Sequence, residues 1–128
     1  MNAPITQRLA NGETLLLDGG TGSELQRRGA DVLKGATTTL EAWSATANID
    51  YANVVQQVHE DYLRVGADTI TSNNFWTIAS RLRGIGRADR WEEYARAGAE
   101  NALKARAAGN PASCLAGGMA PMSLCHAL

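Results

Sequence analysis

The chain is poor in the features that mark disulfide-rich or membrane proteins. Its two cysteines, Cys114 and Cys125, form no disulfide framework in 128 residues and are most simply free thiols of a reducing compartment. No apolar run approaches the roughly 20 residues that a spanning helix needs, and the polar N-terminus has no signal-peptide core. We therefore expect a cytoplasmic protein with no membrane partner.

An excess of charge of either sign is also missing. Twelve basic and 13 acidic residues are mixed along the chain and give a net charge of -1. No basic face is available for a phosphate backbone, so we expect no nucleic-acid partner. A composition that is 45% hydrophobic and 20% charged is typical of a globular chain, and we treat residues 1–128 as one domain.

Short apolar runs alternate with segments of helical periodicity. The pattern predicts β, α, loop, α, β, α, α, β, with strands at 15–17, 68–72 and 113–116, helices at 23–28, 53–65, 77–85 and 88–108, and a long loop at 30–48. Such alternation favours an α/β fold with about three parallel strands and right-handed crossovers. A sheet that stops after its third strand is unfinished, so we expect either a longer parent fold or a second copy covering the open edges.

Two helices carry more specific expectations. In the 88–108 helix, an apolar stripe predicts a buried face made of Trp91, Ala95, Gly98, Ala102 and Leu103. His59 lies on the 53–65 helix, which would cover the outside of the sheet away from its carboxyl edge. We therefore expect His59 to be a surface or partly buried side chain without a catalytic role.

The stretch LLLDGGTGSELQRRG, residues 15–29, predicts a buried strand, a tight turn and a helix with Thr21 or Ser23 as N-cap. Asp18 therefore stands at the carboxyl end of the first strand, where α/β proteins bind ligands. The glycines after it, Gly19 and Gly20, let backbone N–H groups approach a ligand. The alternative is structural, because an aspartate before glycines often only satisfies a turn or caps a helix.

Further polar and aromatic residues follow the second strand or lie in the long loop. Ser72 and Asn73 end the 68–72 strand and are expected to line a pocket there. Phe75 offers a ring to the same pocket, although a residue pair after a strand, here Phe75 and Trp76, often packs under the next helix instead. Trp43 is either an aromatic wall over a ligand or an anchor for its loop.

Four motifs in this order resemble the homocysteine S-methyltransferase family: LLLDGGTGSELQRRG, EAWSA, VVQQVHEDYLRVGADTITSNNF and LAGGMAP. The resemblance covers residues 14–121 and corresponds to the opening third to half of the family's domain. It implies the N-terminal portion of a (β/α)8 TIM barrel, truncated after the third strand, since a complete barrel takes about 250 residues.

The resemblance also implies an enzyme that makes methionine. Family members transfer a methyl group from a small donor, such as S-methylmethionine or betaine, to a zinc-activated homocysteine thiolate. In that reading Asp18 binds the α-ammonium of homocysteine, while Gly19, Trp43, Ser72, Asn73 and Phe75 surround the substrate, and no catalytic residue is assigned to this chain. The family's three zinc-binding cysteines belong to the sixth and eighth strands and are absent here, so the 128 residues alone are expected to be inactive.

Zinc binding by this chain itself is not expected. The gap between Cys114 and Cys125 matches no compact zinc spacing, although His126 lies beside the second cysteine. Two rival functions stay open. One is a nucleotide-binding α/β module in which GGTGS cradles a phosphate, although the lysine and third glycine of the usual fingerprints are missing. The other is a non-catalytic half-barrel that self-associates.

Overall fold

A computed structural model describes residues 3–33 and 42–120. Eight helices and strands follow one another in these ranges: α1 Ile5–Ala10, α2 Thr21–Arg27, α3 Ala47–Asp50, α4 Ala52–Arg64, β1 Thr69–Thr71, α5 Ala79–Leu82, α6 Trp91–Ala108 and β2 Cys114–Ala116. Short 3-10 turns at Trp43–Thr46, Arg83–Ile85 and Ala88–Arg90 precede or extend the helices. No helix in the described ranges has the length and apolar character needed to cross a membrane.

The strands pair in parallel around β1. Thr69, Ile70 and Thr71 lie opposite Cys114, Leu115 and Ala116 of β2, and on its other side β1 meets residues 15–18 through one bridge between Leu17 and Thr69. The parallel α/β arrangement predicted from the alternation of segments is therefore present. The first predicted strand is reduced to that single bridge.

The prediction that residues 15–17 are buried was wrong. Leu16 and Leu17 are 56% and 69% exposed. The backbone of Leu16 accepts hydrogen bonds from Asp68 and Thr69, and Asp18 donates to Thr69, so this segment does run beside β1. Its outer side faces solvent because it forms the edge of the sheet in the described part of the chain.

The loop predicted over residues 30–48 was wrong in its second half. Residues 43–50 are helical, and Ala45, Thr46, Ala47 and Asn48 are at most 1% exposed. The helix could not be predicted from the sequence, because a two-turn segment buried on several faces has no amphipathic period. Residues 34–41 lie outside the described part of the chain. The predicted N-caps of α2 were also wrong, since the cap is Gly20 and makes no side-chain bond.

The core is made where α2, α3 and α6 pack around α4 and the sheet. Three apolar clusters fill it: Leu25, Ala30, Val32, Ala47, Val55 and Val58; Ala42, Ala45, Leu82 and Tyr94; and Leu63, Ile70 and Ala102. Helix α4 ends as predicted, because Gly66 adopts a φ of +105° that a residue with a Cβ rarely takes.

The predicted buried stripe of α6 was only partly right. Gly98 and Ala102 are buried, but Trp91 and Leu103 are 41% and 49% exposed. The buried face also includes Tyr94, Asn101 and Ala105. The error has a physical cause, since the stripe was chosen by hydrophobicity whereas this face is built partly from polar groups that bond to the neighbouring helix.

His59 contradicts its prediction most clearly, since its side chain is fully buried. Helix α4 turns this residue inward beside Val55 and Val58, and neither ring nitrogen has a hydrogen-bond partner among the described residues. Burial lowers the pKa of His59 below its ordinary value of 6.5, and the negative charge of Asp18 opposes that shift. The ring is therefore neutral in the folded protein near pH 7.

This burial predicts a loss of stability in mild acid. Below pH 6.5 the unfolded chain binds a proton at His59 that the folded chain does not, so the free energy of unfolding should fall as the pH drops from about 7.5 to about 5.5. The slope contributed by this residue approaches about 1.4 kcal/mol per pH unit. Urea unfolding followed by tryptophan fluorescence measures it.

The control for this prediction is His59→Gln, which should flatten the pH dependence within that window. Carboxylates act at lower pH, as shown by Glu24, whose pKa is held at about 2 by hydrogen bonds from Arg27 and Arg28. An equal slope in the variant and the original chain would contradict the assignment to His59.

Candidate functional site

A cavity of about 370 Å³ opens at the carboxyl ends of the parallel strands. Its wall comes from the turn after Leu17, from the start of residues 43–50 and from the residues that follow β1. All six residues singled out in the sequence line it: Asp18, Gly19, Trp43, Ser72, Asn73 and Phe75. The geometry thus brings together side chains that are up to 57 positions apart in the chain, from Asp18 to Phe75.

Asp18 is held at the cavity by β1. Its Oδ2 accepts a hydrogen bond from the backbone N–H of Thr71 at 2.7 Å, and its Oδ1 accepts one from the Thr71 hydroxyl at 3.1 Å. The carboxylate takes the place of a main-chain carbonyl as the next acceptor along the ladder, which is why regular pairing stops here. Each carboxylate oxygen can accept a second hydrogen bond, so Asp18 keeps acceptor capacity for a ligand.

The glycines after Asp18 are required by packing as well as by the turn. A Cβ on Gly19 would lie 2.8 Å from the hydroxyl of Tyr62, and one on Gly22 would overlap the indole nitrogen of Trp43. By contrast, a Cβ on Gly20 would meet only the side chain of Ser23, at 3.9 Å. Gly19 and Gly22 therefore allow two aromatic side chains to close onto the turn.

Trp43 has the unusual backbone of the site. Its φ of +41° is the one positive value found at a non-glycine residue in the described ranges. A bulky residue in that region is strained, and such strain persists only where the surroundings enforce it. The indole lies over Gly22 and lines the cavity, and its role as a wall over a ligand stays a prediction.

A second aromatic wall follows β1. The rings of Phe75 and Trp76 meet edge to face with centroids 5.4 Å apart, and the guanidinium of Arg81 lies 4.6 Å from the centre of the Trp76 ring. Phe75 is 40% exposed and stands at the open side of the cavity. The alternative in which Phe75 packs under the next helix is not what the structure shows.

Asn73 lines the cavity, but its side-chain amide bonds to the protein. Its Nδ2 donates to the carbonyl of Ser44 and to Oδ1 of Asn48, and its Oδ1 accepts from the Ser44 hydroxyl, each at 2.8 Å. Both amide hydrogens are therefore used. Ser72 is also buried, and its hydroxyl accepts a long 3.4 Å contact from the N–H of Gly118.

Six lining residues were not among the site residues chosen from the sequence: Leu17, Thr21, Gly22, Ser44, Thr71 and Trp76. Thr71 could have been found, because the residue just before a strand end borders the same crevice. Ser44 could not, because it lies in the loop predicted over residues 30–48, where only the ring of Trp43 was noticeable. Asp18 is the only charged side chain in the lining formed by the described residues, so the cavity favours a cationic or neutral polar group over an anion.

A metal ion does not fit the described residues. No three histidine, cysteine, aspartate or glutamate side chains in residues 3–33 and 42–120 come close enough together to hold one. Cys114 lies half-buried on β2, whereas Cys125 and His126 fall outside the described ranges. The lining of the cavity offers a ligand a carboxylate, hydroxyl groups and aromatic rings.

Comparison with known proteins gives one consistent result. The family model described as homocysteine S-methyltransferase matches residues 15–127. The S-methylmethionine–homocysteine S-methyltransferase of Rattus norvegicus is 30% identical over 120 residues, which are 94% of this chain and 29% of that protein. Homocysteine S-methyltransferase 4 of Zea mays is 34% identical over 97 residues, 74% of this chain and 26% of that protein.

A solved structure agrees with the sequence relatives. The homocysteine methyltransferase of Escherichia coli in its oxidized form superposes with a TM-score of 0.74 at 29% identity, over 99% of this chain and 44% of that one. The chain therefore spans less than a third of the curated relatives and under half of the solved one. Because the family model matches most of its length, this chain belongs to the homocysteine S-methyltransferase family.

Proposed function

We propose that this chain forms the amino-acid-binding part of a homocysteine S-methyltransferase, with Asp18 as the partner of the substrate α-ammonium. One observation carries the proposal: a cavity at the strand ends whose described lining holds a single charge, the carboxylate of Asp18. Ammonium and carboxylate form a charge-assisted hydrogen bond that is stronger than a neutral one. Thr71 fixes the carboxylate, so the ammonium would be bound in one orientation.

The rest of the cavity suits the rest of homocysteine. A short unbranched side chain ending in sulfur is apolar and polarizable, and such groups pack well against aromatic rings. Trp43, Phe75 and Trp76 provide those rings. Holding the amino acid at its ammonium end would direct its sulfur toward the methyl donor, and correct orientation is itself a large rate factor.

The chain would be one part of a larger protein. The shares of 29% and 44% of its relatives support an interpretation as the N-terminal portion of a (β/α)8 barrel. In the whole protein the product would be methionine, and the relatives' names point to S-methylmethionine or betaine as donors. The described residues do not form a metal site.

A nucleotide-binding function is less well supported by the same geometry. The turn that would cradle a phosphate begins at Asp18, whose negative charge would repel it, and the indole of Trp43 covers Gly22 within that turn. No lysine comes directly after the glycines, where a phosphate-binding loop would need one. Neither observation favours a phosphate ligand.

Asp18→Asn should weaken homocysteine binding about ten- to a hundredfold. The amide keeps the size of the side chain and an acceptor for the Thr71 N–H, but loses the charge that pairs with the ammonium. Isothermal titration with homocysteine measures the effect. Titration with 4-sulfanylbutanoate, which lacks the α-ammonium, should show weak binding to both the original chain and the variant.

Asp68→Asn is the matched control. Asp68 also accepts a backbone N–H, from Leu16, but it lies at the opposite end of β1, where Arg8 binds it. Its substitution should leave the homocysteine affinity unchanged. Equal losses in both variants, or no loss for Asp18→Asn, would contradict the assigned role.

The 128-residue chain should not catalyse the methyl transfer by itself. Its described residues supply binding groups but no metal site. Incubation with homocysteine and S-methylmethionine, with and without zinc, should yield no methionine above the uncatalysed background by mass spectrometry. The Escherichia coli homocysteine methyltransferase is the positive control, and steady methionine formation by this chain would refute the prediction.

The exposed edge of the sheet supports self-association as a second candidate property. Leu16 and Leu17 present large apolar side chains on a segment whose outer side pairs with no strand among the described residues, which favours edge-to-edge pairing. We expect light scattering after size exclusion to report a dimer, and Leu17→Lys to shift it to the monomer. Leu103→Lys, at an exposed position on α6, is the control. A monomer at every concentration would exclude the candidate.

A further inference from the structure

One wall of the cavity comes from the short helical segment 43–50, whose position is set by contacts with the rest of the protein. Residues 43–50 contribute Trp43 and Ser44 to the lining, and Trp43 has the strained backbone described above. The segment itself is short, with one 3-10 turn followed by the four residues of α3. So short a helix is not stable by itself, so its position must be set by contacts with the rest of the protein.

Those contacts are a buried chain of asparagines. Asn73, after β1, bonds to the backbone and hydroxyl of Ser44 and to Oδ1 of Asn48. Asn48, on α3, donates to the carbonyl of Asn73 at 2.8 Å and to that of Tyr94 at 3.1 Å. Asn101, on α6, donates to the carbonyl of Asn48 at 2.9 Å. The three amides thus link the strand end, residues 43–50 and α6.

The three amides are buried, and most of their hydrogen-bonding capacity is used within the protein. Asn48 is fully buried, and Asn101 and Asn73 are 4% and 9% exposed. Both hydrogens of Asn48 and both of Asn73 are donated within the protein. A buried network with its donors satisfied defines one arrangement, because any shift leaves polar groups without partners. An amide in this state has no hydrogen left to donate to a substrate.

Gly98 of α6 provides the space that the asparagines occupy. A Cβ at this position would lie 2.6 Å from Nδ2 of Asn48 and 2.7 Å from Oδ1 of Asn74. Asn74 in turn donates to the carbonyl of Ala95 on the same helix at 2.7 Å. The helix therefore contacts the asparagines closely, and none of its residues lines the cavity.

We propose that Asn73, together with Asn48 and Asn101, is a positioning residue that fixes Trp43 and Ser44 at the wall of the cavity and does not bind the substrate through its amide. The inference deepens the proposed homocysteine site and rests on it for its effect on binding. It also reassigns Asn73, which the sequence suggested as a substrate contact. It further makes α6, which is remote from the ligand, part of what determines the cavity's shape.

The test follows the three tryptophans by fluorine NMR. The chain is labelled with 5-fluorotryptophan, and the resonances of Trp43, Trp76 and Trp91 are assigned with single Trp→Phe variants. Asn73→Leu, which keeps the approximate volume but removes the hydrogen bonds, should move or broaden the Trp43 resonance by more than its line width. The Trp91 resonance, from an exposed ring at the start of α6, should stay in place.

Gly98→Ala tests the same network without touching the cavity. The added methyl displaces the amide of Asn48, so the Trp43 resonance should change here as well. Homocysteine titration should show a Kd raised about tenfold in both variants, a change worth 1.4 kcal/mol. Gly117→Ala is the matched control, because a Cβ there meets nothing within 4 Å, and it should change neither readout.

The outcomes separate positioning from direct contact. If Asn73→Leu weakens homocysteine binding while the Trp43 resonance stays in place and Gly98→Ala binds normally, Asn73 is a substrate contact and the inference is overturned. An unmoved Trp43 resonance in both variants also overturns it. Should the original chain not bind homocysteine, the proposed function fails, and the Trp43 resonance still decides whether the asparagines position the wall. Asn101→Ala, which removes one bond, replaces any variant whose circular dichroism shows unfolding.

Discussion

The hydrogen bonds between Asp18 and Thr71 are the constraint on which the rest of the site depends. By accepting the N–H of Thr71, the Asp18 carboxylate ends the pairing of residues 15–18 with β1 and turns its own charge toward the cavity. Both bonds are made within the protein, so the fold itself orients the carboxylate. Pre-orientation lowers the cost of binding, because the side chain has little freedom left to lose.

Around that carboxylate, polar groups have replaced apolar ones in part of the core. The buried face of α6 bonds to α3 through Asn101, and α3 bonds to the strand end through Asn48. Apolar packing would have held these elements together as well, but with less restriction on their relative position, since it is not directional. The hydrogen bonds therefore define where the cavity wall stands more narrowly than burial alone would.

The sequence could predict those parts of the fold that follow from short-range pattern. The helix α4, its end at Gly66, the strand before Ser72 and the crevice at Asp18 all follow from periodicity, glycine position or strand ends. The family resemblance supplied the grouping of the site residues.

Long-range contacts were not predictable in the same way. Burial of His59 and of residues 43–50 depends on which elements pack against them, and nothing local in the chain states this. The bonding of Asn73 depends on Ser44 and Asn48, which are 29 and 25 positions away. An asparagine after a strand has the same local sequence whether it contacts a ligand or a helix.

The two aromatic rings that cover the glycine turn affect the access of a ligand to the cavity. The ring of Tyr62 packs against the main chain at Gly19, and that of Trp43 packs against it at Gly22. Both sides of the turn are therefore covered by bulky groups. The partly exposed ring of Phe75 also borders the crevice, and it can rotate about its own side-chain bonds. A rotation of this single side chain would therefore change the width of the opening.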